Sequence, residues 1–141
     1  MRKYLFTIPA MLFCLNIFGQ SVSFADLRQL THKKDVNAFL TGKAIGFVKI
    51  DSFVPVDTYI KNERTLNEEK IEYDKRGIGY STKNRQYLKA LMKQIKYRLI
   101  LKDEDKKNGH TFYQYGDTHI VITIDFYKNP EIPDSMSIVE K

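Results

Sequence analysis

The chain has 141 residues and a formal net charge of +6 at pH 7, with 43% hydrophobic and 28% charged residues. A chain of this length is expected to fold as one domain and to bury about two-thirds of the surface that its unfolded form exposes. Nucleic-acid-binding domains have a stronger and more clustered basic excess, so we expect no nucleic-acid partner.

The N-terminal segment has the order of a secretory signal peptide. Arg2 and Lys3 precede an apolar run from residue 4 to residue 18, and small and polar residues follow it. The run is shorter than the roughly 20 residues that a membrane-spanning helix needs. We therefore predict a cleaved signal at residues 1–21 and export of a single domain, residues 22–141, to the periplasm or the cell exterior.

The single cysteine, Cys14, lies within this predicted signal, so the exported domain would have no disulfide and would depend on packing alone. Lipid attachment at Cys14 is disfavoured because residues 11–13 include no small residue. Cleavage after Gly19 or Ser23 fits the sequence as well as cleavage after Ser21. Without the two basic residues of the signal, 21 basic residues oppose 17 acidic ones, a mild excess of +4.

The first half of the domain predicts two short helices and a few strands. Apolar spacing indicates helices at 24–31 and 36–43, with Ser23 and Asp35 as N-caps. Residues 51–69 show no periodicity and predict a long polar loop, either functional or disordered. The strands predicted in this half cover residues 45–50, 70–74 and 77–81.

The second half opens with the most clearly amphipathic helix, at residues 84–96. Ser81 and Thr82 are expected to cap it. Gly116 and Asp117 predict a two-residue hairpin turn. Asp103, Glu104 and Asp105 are interpreted as part of a solvated turn that ends at 108–109, with a calcium site as the alternative. The strands predicted here cover residues 97–102, 110–115, 118–127 and 135–139.

These elements predict an α+β fold, with an antiparallel sheet packed by helices on one face. An offset of 52 residues aligns the two passages from helix to strand, so that Val36 matches Leu88 and Asp51 matches Asp103. Two related helix-then-sheet units would produce this pattern. Any helix that leads into a strand would produce a similar one.

No catalytic, metal or cofactor site is predicted. With Gly116 and Asp117 as the turn, Gln114 would face His119 and Phe112 would face Val121. His110 and His119 would then lie on one sheet face, about 13 Å apart, which is too far to share a zinc ion. Ser81 lies between a strand and a helix but lacks the second glycine of a nucleophile elbow.

The two faces of this hairpin have different characters. One face is expected to pack in the core and carries Tyr113, Tyr115, Ile120, Ile122, Ile124 and Phe126. The other is a candidate partner-binding face and carries His110, Phe112, Gln114, His119 and Val121.

The helix at 84–96 carries a basic stripe formed by Arg85, Lys89, Lys93 and Lys96, with no acidic residue among them. Like charges at three- and four-residue spacing repel one another. The stripe is therefore expected to meet a protein partner or an anionic membrane surface. Alternatively, strand carboxylates or the loop residues Glu63, Glu68 and Glu69 neutralise it within the fold.

Short helices followed by an antiparallel sheet, twice over across residues 24–141, resemble the architecture of the β-lactamase inhibitor proteins and of some periplasmic immunity proteins. That resemblance implies a non-enzymatic, exported protein that engages or neutralises a protein partner. No family motif is matched residue by residue, and those inhibitors carry disulfides that this domain lacks. A small-ligand or lipid carrier is the alternative function, and a small hydrolase is a minor one.

Overall fold

A computed structural model describes residues 22–30, 32–42, 45–53 and 55–141. The predicted signal at residues 1–21 lies outside these ranges. Among the helices within them, none combines the length and the apolar character that crossing a membrane requires.

The described residues form three helices and one antiparallel sheet of eight strands, which confirms the predicted α+β class. The strand order is β1-β2-β3-β4-β8-β7-β6-β5. The helices are α1 (Phe24–Leu30), α2 (Val36–Thr41) and α3 (Arg85–Lys96), and the strands are β1 (Val48–Phe53), β2 (Val56–Lys61), β3 (Glu69–Asp74), β4 (Gly77–Thr82), β5 (Ile100–Lys107), β6 (His110–Gly116), β7 (Ile120–Tyr127) and β8 (Asp134–Glu140).

The sheet consists of two meanders, β1 to β4 and β5 to β8, which meet where β4 pairs with β8. A helix precedes each meander, α2 in the first half and α3 in the second. The offset of 52 residues places Val48 on Ile100, the first residues of β1 and β5. The common origin of the two halves stays a prediction.

Side chains fix the starts of the helices. Ser23 Oγ accepts a hydrogen bond from Asp26 N at 3.1 Å, and Asp35 Oδ1 accepts one from Ala38 N at 2.8 Å, so both predicted caps are confirmed. The predicted capping of α3 by Ser81 and Thr82 is wrong, because both residues belong to β4. The cap is Asn84, whose side chain accepts a hydrogen bond from the backbone of the second helical residue at 3.1 Å.

The predicted loop at 51–69 is wrong, because β1 continues to Phe53 and β2 spans Val56–Lys61. The loop between β2 and β3 covers only residues 62–68. The Glu68 carboxylate holds this loop by accepting hydrogen bonds from Arg64 N at 2.7 Å and from Lys83 Nζ at 3.1 Å.

The acidic residues 103–105 lie within the edge strand β5, so the predicted turn is wrong. Side chains along a strand alternate between faces, and Glu104 therefore points away from its two acidic neighbours. Lysines two residues further on neutralise two of these carboxylates, with a distance of 3.1 Å from Lys106 to Glu104 and of 2.8 Å from Lys107 to Asp105. The alternating faces also remove the convergent oxygens that the alternative calcium site required.

One face of the sheet, called here the buried face, carries most of the strand side chains that belong to the hydrophobic core. A row of directly paired residues crosses it from β2 to β6: Tyr59, Ile71, Tyr80, Met136, Ile124 and Tyr113. All are buried except the last, which is half-buried. Helix α3 contacts β4 and β8, α2 contacts β1, and α1 contacts α3.

The other face, called here the open face, contains the alternate residues of the same strands, such as Gly77, Gly79 and Ser81 of β4. Its two glycines have different surroundings. A Cβ atom at Gly77 would lie 2.6 Å from the carbonyl oxygen of Ile138 on β8, whereas a Cβ atom at Gly79 would meet nothing closer than 3.6 Å.

We predict that Gly77→Ala lowers the free energy of unfolding by about 1–3 kcal/mol, because the added methyl group forces β4 away from β8. Gly79→Ala, on the same strand and the same face, is the matched control. It should be neutral or stabilise by up to about 1 kcal/mol, because alanine restricts the unfolded chain. Urea unfolding measures both, and equal effects of the two substitutions would contradict the close β4–β8 contact.

Candidate binding surfaces

The structure divides the predicted site residues between two surfaces that belong to different sides of the sheet. The basic stripe of α3 lies beside residues of the buried face. The hairpin residues His110, Phe112, Gln114 and Val121 lie on the open face. The predicted candidates therefore do not form one site.

The first surface is a groove of about 490 Å³ between α3 and strands β6 and β7, called here the α3 groove. Its helix side consists of Arg85, Lys89, Met92, Lys93 and Lys96, and its sheet side of Thr111, Tyr113 and Phe126. The four basic residues of the predicted stripe are thus brought together with two aromatic rings.

Arg85 has a structural partner at one end of this groove. Its Nε and Nη2 atoms lie 2.7 and 3.0 Å from the two carboxylate oxygens of Asp134, and Nη2 also donates to the carbonyl of Tyr127. The Asp134 side chain is only 4% exposed and also accepts a hydrogen bond from the backbone of Tyr127 at 2.8 Å. The hydrogen bond to Asp134 raises the pKa of Arg85 above its ordinary value. Arg85 therefore anchors the start of α3 to β8.

The other three cations of the stripe, Lys89, Lys93 and Lys96, have no carboxylate within ion-pair distance among the described residues. The loop acids predicted as partners are engaged elsewhere. Glu63 pairs with Arg64, Glu68 pairs with Lys83, and Glu69 accepts a hydrogen bond from Tyr80. Within the described part of the chain, internal neutralisation of the stripe is therefore confirmed for Arg85 and for no other member, through a strand carboxylate.

Two aromatic rings form the floor of the α3 groove. The Tyr113 and Phe126 rings meet edge to face, with centroids 6.2 Å apart and an interplanar angle of 82°. Both side chains are partly buried and pack against the core. The Arg85 guanidinium lies 5.9 Å from the centre of the Phe126 ring, which is within cation–π range. The floor is thus aromatic and partly buried, while its rim is cationic.

The predicted register of the β6–β7 hairpin is wrong by four residues. Phe112 pairs with Asp125 and not with Val121, and Gln114 pairs with Thr123 and not with His119. The cause is the Asp117 carboxylate, which accepts hydrogen bonds from the backbones of residues 119 and 120 at 2.7 and 3.0 Å and extends the turn to 117–119. Because four is an even number, every side chain within β6 and β7 keeps its predicted face. His119 does not, because it lies in the turn outside both strands.

The two histidines of the hairpin lie at its opposite ends. His119 is exposed in the turn, whereas His110 lies near the far end, with its Nε2 atom 3.8 Å from Asp125 and its ring centre 5.7 Å from that of Tyr127. Within the described ranges, no three His, Cys, Asp or Glu residues are grouped closely enough to hold a metal ion.

An apolar row crosses the open face near one end of the strands. Directly paired neighbours from β4 to β5 are, in order, Gly77, Val139, Val121, Gly116 and Ile100. Val139 is 46% exposed and Ile100 is 69% exposed. Of these residues, the sequence pattern predicts only Val121 as a site residue, because cross-strand register aligns the row and a linear pattern does not give that register.

Beside this row, a depression of about 190 Å³ on the open face is lined by Glu72, Asp125 and three serines, Ser81, Ser135 and Ser137. The serine hydroxyls have no hydrogen-bond partner among the described residues. Burial raises the pKa of Asp125 above the ordinary aspartate value, and the nearby His110 partly opposes this shift. The depression therefore contains several polar side chains, but the described residues form no continuous chain of hydrogen bonds between them.

Comparisons with known proteins were made at three levels. No family model, curated protein or solved structure matches the chain. The function of the two surfaces therefore has to be argued from their own chemistry.

We predict that Arg85→Met lowers the free energy of unfolding by about 1–3 kcal/mol, because it leaves the buried Asp134 carboxylate without its cation. Lys89→Met removes the next cation of the same helix face and should change stability by less than about 0.5 kcal/mol. Chemical denaturation measures both. A similar loss in the two variants would refute the anchoring role of Arg85.

A second prediction concerns Asp125. The folded protein holds the proton of this carboxyl more tightly than the unfolded chain does, so its contribution to stability falls as pH rises from about 3.9 through the raised folded value. Asp125→Asn should therefore be more stable than the wild type at pH 7, and this difference should disappear in acid. Urea midpoints across this range test it, with Glu131→Gln in an exposed loop as the control. A difference independent of pH would contradict the prediction.

Proposed function

We propose that this protein is an exported, non-enzymatic binding module that engages a protein partner through the open face of its sheet. The observation that carries the proposal is the apolar row on this face, in which Val139 and Ile100 are exposed and Val121 between them is half-buried. Single exposed apolar side chains are common on soluble proteins, but contiguous apolar surface marks interaction sites.

The row has the extent of the centre of an interface. Neighbouring strands lie about 4.8 Å apart, so a row from β4 to β5 spans roughly 19 Å. Gly77 lies at one end of the row and is half-buried, so a partner side chain can approach its backbone closely beside Val139, whereas Gly116 between Val121 and Ile100 is buried. A second depression of about 300 Å³, lined in part by Gly77 and Val139, extends the row along β4 and β8.

Polar groups surround the row as they surround the apolar centre of known interfaces. Gln114 and Thr123 are paired neighbours on the open face, and Phe112 lies two residues further along β6. His110, the first residue of β6, lies beyond Phe112 on the same face. These residues would form the rim of the contact, together with the depression around Asp125.

The proposal includes the placement of all three helices on the buried face. Leu88, Leu91 and Ile95 of α3 are fully buried, and α3 forms its groove with Tyr113 and Phe126, which belong to the buried face. Helices gathered on that side would leave the open face accessible along its whole width.

A hydrolase remains the alternative that the open-face depression favours, since Glu72, Asp125 and three serines line one cleft. A nucleophilic serine needs a base within hydrogen-bond reach. His110 contacts Asp125 at 3.8 Å, and among the described residues no serine hydroxyl is hydrogen-bonded to His110. Binding of a protein partner requires no such relay, and we therefore prefer it.

The test compares the mature chain with Val121→Lys/Val139→Lys. In a crosslinked affinity capture from the periplasmic fraction, the wild type should recover a stoichiometric partner. The double variant should recover at least about tenfold less, because two charges would have to be desolvated in the contact. Leu66→Lys/Ile132→Lys makes the same chemical change at exposed positions away from the open face and should retain the partner.

Equal capture by the two double variants, or no stoichiometric partner for the wild type, would contradict the proposal. Light scattering of the purified protein supplies a further check. A wild-type dimer that Val121→Lys/Val139→Lys dissociates would assign the open face to a second copy of this chain. Thermal unfolding of each variant confirms that any lost capture does not result from lost structure.

A further inference from the structure

We infer that the α3 groove is a separate binding site for an acidic polypeptide segment that carries an apolar side chain. The inference does not rest on the proposed role of the open face. It depends on two observations in the same place, three lysines without a carboxylate partner among the described residues and an aromatic floor beneath them.

The positive charge of the groove favours the binding of a negatively charged group from outside the protein. Lys89, Lys93 and Lys96 follow one another at four- and three-residue spacing, which places like charges side by side. The helix dipole favours cations in the last turn, where Lys93 and Lys96 lie, but it does not neutralise them. Carboxylates of a bound segment would remove this repulsion.

The spacing of the cations favours a polyanion over a single anionic group. Lys96 lies seven positions after Lys89, which corresponds to roughly 10 Å along the helix axis. An extended peptide advances about 3.3 Å per residue, so alternate side chains lie roughly 7 Å apart and two acidic residues could reach this line of lysines. The one carboxylate of a fatty acid could meet only one or two of them.

The floor explains why an apolar side chain is part of the inference. The Tyr113 and Phe126 rings are partly buried and lie between α3 and the sheet, and Met92 contributes a third apolar group. A side chain that enters the groove can cover these rings. A flat bilayer surface meets the protruding lysines first and does not reach rings at the base of a concave groove.

Arg85 is excluded from the proposed contact because Asp134 and the Tyr127 carbonyl already occupy its guanidinium. Its part is to position Phe126 and the first turn of α3. The test therefore leaves Arg85 unchanged and alters Lys89 and Lys93, which are exposed and have no structural partner among the described residues.

The probe is the peptide fluorescein-Glu-Asp-Phe-Glu-Asp-Leu-Glu-Asp-amide, with the dye on its N-terminal nitrogen, titrated with the mature protein at low ionic strength and followed by anisotropy. Lys89→Glu/Lys93→Glu should weaken binding at least tenfold. Lys34→Glu/Lys75→Glu changes the net charge equally, at exposed loop positions away from the groove, and should weaken it less than threefold. Rising salt should weaken the wild-type complex, since exposed charges carry it.

A second comparison isolates the aromatic floor. Replacing Phe and Leu of the probe by Ser should weaken binding to the wild type, but should have little effect on binding to Tyr113→Thr. Amide shifts in a nitrogen-edited NMR spectrum should change along α3, β6 and β7 on addition of the probe. Val121→Lys/Val139→Lys should bind the probe at least as tightly as the wild type does, so failure here is distinguishable from failure of the proposed function.

Several results would overturn the inference. Equal weakening by both charge-reversed variants would show attraction to net charge alone. Shifts confined to the open face would place the peptide elsewhere. Binding to phosphatidylglycerol vesicles or to oleate without binding to the peptide would assign the groove to a membrane surface or to an anionic amphiphile. Lys89→Gln/Lys93→Gln repeats the test without charge reversal, and unfolding curves verify that each variant is folded.

Discussion

The pairing of β4 with β8 is the constraint on which the rest of the structure depends. It is the junction between two four-stranded meanders that make no other strand pairing with each other in the described sheet. Helix α3 contacts both strands, and the Arg85–Asp134 ion pair ties the start of this helix to the first residue of β8. The same junction brings Val139 beside Gly77 and so determines where the apolar row crosses the sheet.

Much of the fold could be predicted from local signals. Ser23 and Asp35 cap the first two helices as expected, the apolar face of α3 is buried, and β3, β4, β6 and β8 lie close to their predicted positions. Each of these elements has a strong period or a clear terminus. The predicted faces of the residues within β6 and β7 were also correct, because the error in the hairpin register was an even number of residues.

The missed elements have polar sequences whose strand character depends on tertiary pairing. β2 includes Asp57 and Lys61 and buries only Tyr59 completely, so no apolar alternation marks it. β5 is an edge strand with charged side chains on both faces, and the sequence therefore resembles a turn. In both cases the strand forms because its backbone is hydrogen-bonded to a neighbouring strand. The hydrophobic periodicity of the sequence does not reveal this pairing.

The candidate surfaces were only partly predictable, for a related reason. The basic stripe of α3 is a local pattern, and the sequence identified all four of its residues. Tyr113 and Phe126 were predicted as core residues, which they partly are, and only the tertiary structure shows that their rings also form the floor of the α3 groove. The apolar row requires the register of five strands at once.

The crowding at Gly77 and Gly116 has a consequence for how variation among relatives of this chain should be interpreted. A Cβ atom would lie 2.6 Å from a carbonyl oxygen at the first position and 2.8 Å from one at the second. Backbone sterics alone therefore disfavour larger residues there, whatever the surface above them binds. A conserved glycine at either site would therefore reflect the steric requirements of sheet assembly. Substitutions at the neighbouring valines would instead reflect selection for binding a partner.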